Sequence, residues 1–387
     1  EIPGDEMLMR AKKLSDTAIV FLTRAAGENQ DASTAKGEYY LSEDEEALIA
    51  KITDTFAKTI VILNVGYPID VTFAEKYAVA GLIYSGFGGM LAGPALSDIL
   101  SGAVNPSGKL PDTWAKDYFD IPSSKNFYDC VDKTRLTADE NIYVDTCYEE
   151  DIYVGYRYYD TKQMEVAYPF GYGLSYTTFT YSNLQISNTN PTEKDTVTVS
   201  VDVTNTGNVA GKEAVQLYVK DMTASTIRPE KELKGFEKVQ LAPGETKTVT
   251  MKLDKRSFAW YNTQLQNWYA ASGKYEILIG ASSRDIRLSE TIELSSSQVI
   301  PMHIHMNTTL GELFNNPNTK EAAKELTSRY LAAMNGGSDT ASQSAAEAIT
   351  EEMVAAMTDS MPLRSLCSFG GFSRTEIQEI IDKLQEI

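Results

Sequence analysis

Hydrophobic residues recur at three different spacings in three consecutive regions of this 387-residue chain, and no single fold accommodates all three. The first region carries continuous apolar runs, the second alternates apolar and polar residues, and the third repeats apolar residues at helical spacing. With 387 residues, of which 42% are hydrophobic, the chain is large enough to form two or three domains with cores of their own. The sequence therefore predicts a multidomain protein.

The first region, residues 1–176, predicts an α/β layer fold. Three apolar runs rich in β-branched residues are typical of strands buried in a parallel sheet: 18–23, 59–65 and 78–85. Between the first two, Ser42 followed by Glu45 is the pattern of a capping box, and it marks the start of a helix. Three strands make a small sheet, so either strands from outside this chain complete it or some strands escape the pattern.

The second region, residues 177–297, alternates with a period of two. Val197, Val199, Val201 and Val203 are separated by polar residues, and similar alternation recurs in later segments between turn residues. Several short strands of this kind indicate an antiparallel β-sandwich of immunoglobulin or fibronectin III type. We expect this domain to act as a structural support.

The third region, residues 298–387, predicts a helical C-terminal extension. Thr309 with Glu312 and Ser373 with Glu376 form two further capping-box patterns. The last of these helices carries an apolar stripe at helical spacing: Ile377, Ile380, Ile381 and Leu384.

Charge and hydropathy exclude several classes of partner. With 54 Asp and Glu against 35 Lys and Arg, the net charge of −19 disfavours nucleic acid and anionic membrane surfaces. The longest stretch nearly free of charge, 78–100, is interrupted by glycines, Pro94 and Asp98, so a membrane span is not expected. Because the chain starts at Glu1 without a leader pattern, we expect it to begin inside a longer product or after processing. This constrains its location only weakly, so the location is left unknown, with the cytoplasm favoured over secretion.

Cysteine and histidine usage leaves few options for metal or nucleophilic chemistry. Cys130 and Cys147 are close enough in sequence for a local bridge, but free thiols are favoured, and Cys367 is expected in a core. His303 and His305 would share one face of a strand as a metal-binding pair, yet no further ligands stand at a recognisable spacing, so a structural role is expected. Without other histidines, Ser-His-Asp and Cys-His sites are excluded elsewhere in the sequence.

Two loops of the first region follow predicted strands. Gly86 to Gly89 lacks the spacing of a phosphate-binding loop and predicts a tight packing turn. The segment 23–41 lies past the C-terminal end of a buried parallel strand, where α/β sheets place their binding loops, and it carries Glu28 and Asp31. Pattern alone would make these two residues solvated surface acids.

Five motifs in this order resemble glycoside hydrolase family 3, specifically its bacterial β-glucosidases: 27–42, 62–66, 105–111, 148–160 and 169–176. Within the β-sandwich, four further motifs resemble the fibronectin type III-like module of that family: 205–207, 228–229, 232–236 and 243–245. The resemblance extends over roughly residues 16–294. It implies that the first region is part of a three-layer α/β sandwich that lacks its opening strands.

The family resemblance implies a retaining, exo-acting enzyme with an Asp nucleophile on a (β/α)8 barrel and a Glu acid/base on the α/β sandwich. Glu28 matches the acid/base position, and Asp31 is expected as a substrate-side neighbour. Retention requires the two carboxyl groups to stand about 5–5.5 Å apart. The resemblance implies neither a metal nor a cofactor.

The sequence departs from the family pattern where the nucleophile should be. The family's Ser-Asp-Trp context is absent, because Asp16 and Asp98 are followed by Thr and Ile, and the barrel's Lys-His pair is absent too. The resemblance therefore implies a C-terminal part of the enzyme, active only with a barrel-bearing polypeptide and acting on a β-glucoside or oligosaccharide. Assembly into a homo-oligomer is left open.

Two alternatives remain open from the sequence. The first is a non-catalytic carbohydrate-binding or scaffolding protein that retains the sandwich and β-module. The second is the same enzyme class acting on a β-xyloside, an arabinoside or an N-acetylglucosaminide. Tyr153, Tyr156 and Tyr158 could stack on a sugar, but packing at a domain junction is the favoured role.

Overall fold

The computed structural model describes residues 2–25, 32–126, 131–136, 142–144, 148–223, 227–316, 318–334, 359–369 and 371–385. The chain divides into two compact units. The first comprises Glu1–Asn262 and Gln266–Gln298, and the second comprises Thr263–Leu265 and Val299–Ile387. The α/β region and the β-sandwich thus share the first unit, while the bounds 1–176, 177–297 and 298–387 stay predictions.

The α/β region opens with alternating helices and strands, as predicted. Its first elements are α1 (Asp5–Lys12), β1 (Thr17–Thr23), α2 (Glu43–Thr55), β2 (Lys58–Asn64), α3 (Phe73–Lys76) and β3 (Gly81–Tyr84). In the described residues the sheet has the order β1-β2-β3, and both pairings are parallel. The continuous apolar runs supply its core: Val20, Leu22, Val61, Leu63 and Val65, with Ile49 and Ile52 from α2.

The capping box at the start of α2 is confirmed. The backbone N–H of Glu45 donates to the Ser42 hydroxyl at 3.2 Å, and the Glu45 carboxylate accepts from the Ser42 N–H at 2.9 Å. The third strand is shorter than the predicted run 78–85. Ala78 has φ 50°, a left-handed conformation that ends the turn after α3, so extended backbone begins only at Gly81.

The remainder of the α/β region consists of short elements. After a single turn of 3₁₀ helix, Gly89–Leu91, come α4 (Ala92–Leu100), β4 (Trp114–Ala115), β5 (Val131–Leu136), β6 (Ile142–Val144), α5 (Tyr156–Thr161) and β7 (Val166–Tyr168). Strand β4 pairs with β7 and β5 with β6, both antiparallel. None of the helices in the described residues combines the length and apolar character that a membrane crossing needs.

The β-sandwich is confirmed as two antiparallel sheets. One has the order β12-β9-β8, from Thr246–Leu253, Val197–Asn205 and Phe179–Ile186. The other has the order β11-β10-β15-β16, from Glu232–Leu241, Gly211–Asp221, Gly273–Gly280 and Ile286–Leu294. A short helix α6 (Lys255–Phe258) leads into the hairpin β13 (Trp260–Asn262) and β14 (Asn267–Tyr269). All four alternating valines of β9 face the core between the sheets.

Buried polar contacts join the α/β region to the β-sandwich inside the first unit. Asp160, at the end of α5, receives a hydrogen bond from Nε of Arg284 at 2.7 Å and lies 3.2 Å from Nζ of Lys231. The Gln216 amide donates to the carbonyls of Gly171 and Ala281 at 3.1 and 2.7 Å. These bonds make the junction a continuation of the protein interior.

The second unit is helical, as predicted. Its described helices are α7 (Leu310–Asn315), α8 (Lys320–Met334), α9 (Leu366–Phe369) and α10 (Arg374–Gln385). Both predicted capping boxes form: the hydroxyls of Thr309 and Ser373 accept from the N–H groups of Glu312 and Glu376, whose carboxylates accept from the backbone N–H groups of Thr309 and Ser373. The stripe on α10 packs into this unit's core, with Ile380 only partly buried.

Candidate active site

Glu28 and Asp31, the two predicted site residues, lie outside the described residues. The structure describes the chain on both sides of them, from β1 to Arg24 and from Ala32 to α2. The candidate site is therefore described through these flanking residues, from β1 to Arg24 and from Ala32 to the start of α2, which we call the frame. It stands where β1 ends, at the carboxyl edge of the parallel sheet.

Arg24 is the centre of the frame. It is only 5% exposed, and its guanidinium forms four hydrogen bonds. Nε donates to the Glu38 carbonyl at 2.7 Å, and Nη1 donates to the Thr23 carbonyl at 3.0 Å. Nη1 and Nη2 also donate to the two carboxylate oxygens of Glu45 at 2.7 and 3.0 Å. The Arg24 side chain thus connects the end of β1, the Glu38 backbone and the start of α2.

The ion pair with Arg24 keeps Glu45 ionised. Burial acts to raise the pKa of Glu45, but hydrogen bonds from Arg24 and from the Ser42 backbone outweigh burial and lower that pKa below its ordinary value. The same carboxylate closes the capping box of α2, so Glu45 binds both the backbone at the start of α2 and the Arg24 guanidinium. The fork geometry of arginine suits this bidentate contact.

Side-chain bonds also fix the residues after Ala32. The Glu38 carboxylate accepts from the Ser33 N–H at 2.7 Å, and its hydrogen bonds with Ser33 lower the pKa of Glu38. Tyr39 is buried and donates its hydroxyl to the Ala115 carbonyl at 3.1 Å, and burial raises its pKa. The chain therefore returns from the predicted acid/base segment along a defined path.

A cavity of about 430 Å³ opens beside this returning chain and includes Ala32 in its wall. Its lining combines aromatic rings, among them Tyr39 and Tyr156, with the polar groups of Asp112 and Arg157. Burial raises the pKa of Asp112. Aromatic faces beside a few polar groups are typical of ligand pockets.

Tyr153 and Tyr156 of the 148–160 motif pack where the α/β region meets the β-sandwich, the role favoured from the sequence. The Tyr156 ring stacks on Phe170 with centroids 4.6 Å apart, and its hydroxyl accepts from the Leu233 N–H of the β-sandwich at 2.8 Å. Tyr153 donates its hydroxyl to the Arg228 carbonyl at 3.3 Å. Tyr158 meets Tyr159 edge to face.

Among the described residues, the other sequence candidates do not assemble into a site. His303 and His305 stand with ring centroids 5.8 Å apart in a segment that is not a strand, and the described residues hold no cluster of three metal-ligand side chains. Cys130 and Cys147 lie outside the described residues. Cys367 packs, partly buried, against the core of the second unit.

The glycine turn 86–89 packs tightly against the chain that follows it. Gly86 and Gly89 have φ of +55° and +65°, which favours glycine at both positions. A Cβ at Gly88 would stand 2.8 Å from that of Ala92. This close approach supports the prediction of a packing turn.

Sequence reasoning missed the pairing of Arg24 with Glu45. The sequence patterns assign Glu45 only a capping role and assign Arg24 none. The available signal was an arginine directly after a buried strand, where an unpaired cation would be costly.

The α/β region and the β-sandwich of the first unit each match a known domain family. Residues 4–176 match the glycosyl hydrolase family 3 C-terminal domain, and residues 213–283 match the fibronectin type III-like domain. Thermostable beta-glucosidase B of Acetivibrio thermocellus is 37% identical over 388 residues, which cover 99% of this chain and 48% of that protein. Beta-glucosidase of Ruminococcus albus is 38% identical, over 78% of this chain and 31% of that protein.

Solved structures of β-glucosidases are also similar to this chain. Beta-glucosidase 3B from Thermotoga neapolitana in complex with glucose superposes with a TM-score of 0.67 and 39% identity, covering 75% of this chain and 39% of that one. The GH3 beta-glucosidase of Bifidobacterium adolescentis gives a TM-score of 0.66 and 30% identity, covering 83% of this chain and 45% of that one. This chain spans half or less of the length of these relatives.

Proposed function

We propose that this chain, which belongs to glycosyl hydrolase family 3, supplies the general acid/base of a retaining, exo-acting β-glucosidase. It corresponds to the C-terminal part of such proteins, an α/β sandwich region followed by a fibronectin type III-like domain. The observation that carries the proposal is the alignment of 99% of the chain with a β-glucosidase at 37% identity. Glu28 is the proposed acid/base. The buried frame around Arg24 supports this role, because it fixes the chain on both sides of Glu28.

The proposed chemistry divides between two carboxyl groups. Glu28 protonates the glycosidic oxygen as the nucleophile attacks the anomeric carbon, and then removes a proton from the water that releases the sugar. Such a residue needs a pKa near the working pH, which partial burial beside the nucleophile provides. Asp31 is proposed as a substrate-side neighbour of Glu28.

We propose that the nucleophile comes from a barrel-bearing part outside these 387 residues. No Ser-Asp-Trp context occurs in the sequence, and the chain spans about half of β-glucosidase B. Uncovered apolar surface supports such a partner. Ile19 and Phe21 of β1 are 46% and 58% exposed, Met90 is fully exposed, and helix α4 buries none of its residues.

The proposed substrate is a terminal, non-reducing β-D-glucosyl residue, as the names of the relatives suggest. A second sugar has one specific observation in its favour. An exo-alpha-(1->6)-L-arabinopyranosidase of Bifidobacterium breve is 38% identical over 76% of this chain. Comparing aryl β-glucoside with aryl arabinopyranoside as substrates of the complete enzyme decides between the two sugars.

The test of Glu28 uses the complete enzyme, that is, this chain together with its barrel-bearing part. Glu28→Ala should lower kcat/KM for an alkyl β-glucoside by about 10²–10⁴-fold, the usual contribution of general acid catalysis. A dinitrophenyl β-glucoside needs little protonation of its leaving group, so its glycosylation step should slow far less. Azide should restore turnover by attacking the glycosyl-enzyme without a general base.

Glu43→Ala is the matched control, because Glu43 is an exposed acid nearby that pairs only with exposed Lys36 among the contacts described. It should leave both substrates unaffected. Equal losses on both substrates for Glu28→Ala would remove Glu28 from the acid role. A complete preparation that contains no barrel polypeptide by mass and no glycosidase activity would favour the non-catalytic alternative.

A further inference from the structure

We propose that Arg24 and Glu45 are positioning residues for proton transfer by Glu28: their buried ion pair links the chain that precedes Glu28, at Arg24, to the chain that follows it, at Glu38, and fixes both. This inference rests on the proposed function, because Glu28 is the group to be positioned. It goes beyond that function by assigning the role to two residues that need not touch substrate.

The bonds of Arg24 reach both sides of the segment. Its backbone directly follows β1, which ends at Thr23, while its side chain donates to the Glu38 carbonyl at 2.7 Å. Thirteen residues, 25–37, lie between these two anchored points. Glu45 holds the guanidinium through both oxygens and is itself fixed by the capping box of α2. A rigid helix start therefore holds the two ends of the segment together.

Burial makes this pair unlike an ordinary surface ion pair. The Arg24 side chain is 4% exposed, so removing either partner leaves a charge or a carbonyl in the interior without its hydrogen bond. Lysine cannot substitute, because an ammonium point charge cannot contact two carboxylate oxygens and two separate carbonyls in the plane of a guanidinium. The segment should therefore lose its anchor even in the conservative Arg24→Lys variant.

The neighbouring pair on α2 provides a matched control. Glu46 pairs with Lys76 and also accepts from the Tyr77 hydroxyl, and both charged side chains are exposed. These contacts join α2 to α3 and involve no residue between 24 and 38. Glu46→Gln therefore changes one carboxylate of the same helix turn without disturbing the Arg24 frame.

The first measurement is leaving-group selectivity in the complete enzyme. Arg24→Lys and Glu45→Gln should lower kcat/KM for an alkyl β-glucoside by about 10–100-fold, since a displacement near 1 Å can cost that much. The same variants should leave the dinitrophenyl β-glucoside nearly unchanged, and Glu46→Gln should leave both unchanged. A general loss of folded enzyme would instead lower both rates equally.

The second measurement is hydrogen exchange on this chain, followed by mass spectrometry of peptides that cover 25–38. Exchange should accelerate in Arg24→Lys and Glu45→Gln, while peptides of β2 stay unchanged and Glu46→Gln matches the parent protein. Unchanged exchange, or equal rate losses on both substrates, would overturn the positioning role. If Glu28→Ala itself shows no leaving-group selectivity, the proposed function fails instead, and the exchange result still decides whether the pair anchors the segment.

Discussion

Asp160→Asn tests whether a buried charge cluster fuses the α/β region to the fibronectin type III-like domain. The Asp160 side chain is 4% exposed and faces two cations, Arg284 at 2.7 Å and Lys231 at 3.2 Å. Asparagine keeps the shape and one acceptor but removes the negative charge. Both cations then remain at the junction without their counter-ion.

The expected cost follows from the exposure of the two cations. Breaking a buried ion pair by removing one partner costs about 3–5 kcal/mol when both charges are inaccessible. Lys231 is 11% exposed, but Arg284 is 31% exposed and can rehydrate in part, so we expect about 2–3 kcal/mol. For a unit of about 295 residues, that corresponds to a fall in Tm of roughly 3–5 °C.

Differential scanning calorimetry measures this fall and also shows whether the two regions still unfold in one transition. Glu165→Gln is the control, since it breaks an exposed pair with Lys116 and should cost less than about 0.5 kcal/mol. Double replacement by Asp160→Asn and Lys231→Met should recover part of the loss, because one uncompensated cation is removed. If Asp160→Asn costs no more than Glu165→Gln, the junction does not depend on this cluster and the reasoning is wrong.

Two further predictions concern single groups in the first unit. Gly171→Ala should cost about 2–4 kcal/mol in chemical denaturation, because residue 171 has φ +78° and its Cβ would lie 2.1 Å from Oε1 of Gln216; a loss below 1 kcal/mol would contradict this. The folded-state pKa of Glu45 is lowered, so its stabilisation is complete above about pH 4.3, the ordinary value, and is lost as pH falls through the lower folded value. Glu45→Gln should therefore reduce the difference in unfolding free energy between pH 6 and pH 3, and an unchanged difference would refute the assignment.

Local patterns predict the elements that bury a periodic face. The alternation from Val197 to Val203 predicts a strand with one buried side, because the side chains of successive residues in a strand point to opposite faces of the sheet. The structure confirms this strand. Ser42 and Glu45 predict a helix start for a similar reason, since both partners lie within one turn. The four-residue helix Phe73–Lys76 was missed, because one turn is too short to show a period.

Contacts distant in sequence escape such patterns. Asp160 and Arg284 are 124 residues apart and meet only because the β-sandwich folds against the α/β region. Arg24 and Glu45 are 21 residues apart and meet only once β1 and α2 have packed. The roles of Glu28 and Asp31 stay predictions, since both lie outside the described residues.

The uncovered apolar surface of β1 and α4 determines the colloidal behaviour of this chain on its own. With a net charge of −19, copies repel one another at low salt, where the Debye length is about 30 Å at 0.01 M. At 1 M salt this length shrinks to about 3 Å, and short-range attraction between exposed side chains such as Phe21 and Met90 takes over. The isolated chain should therefore salt out early and bind hydrophobic-interaction resins strongly, whereas a copy whose patch is covered should elute ahead of it.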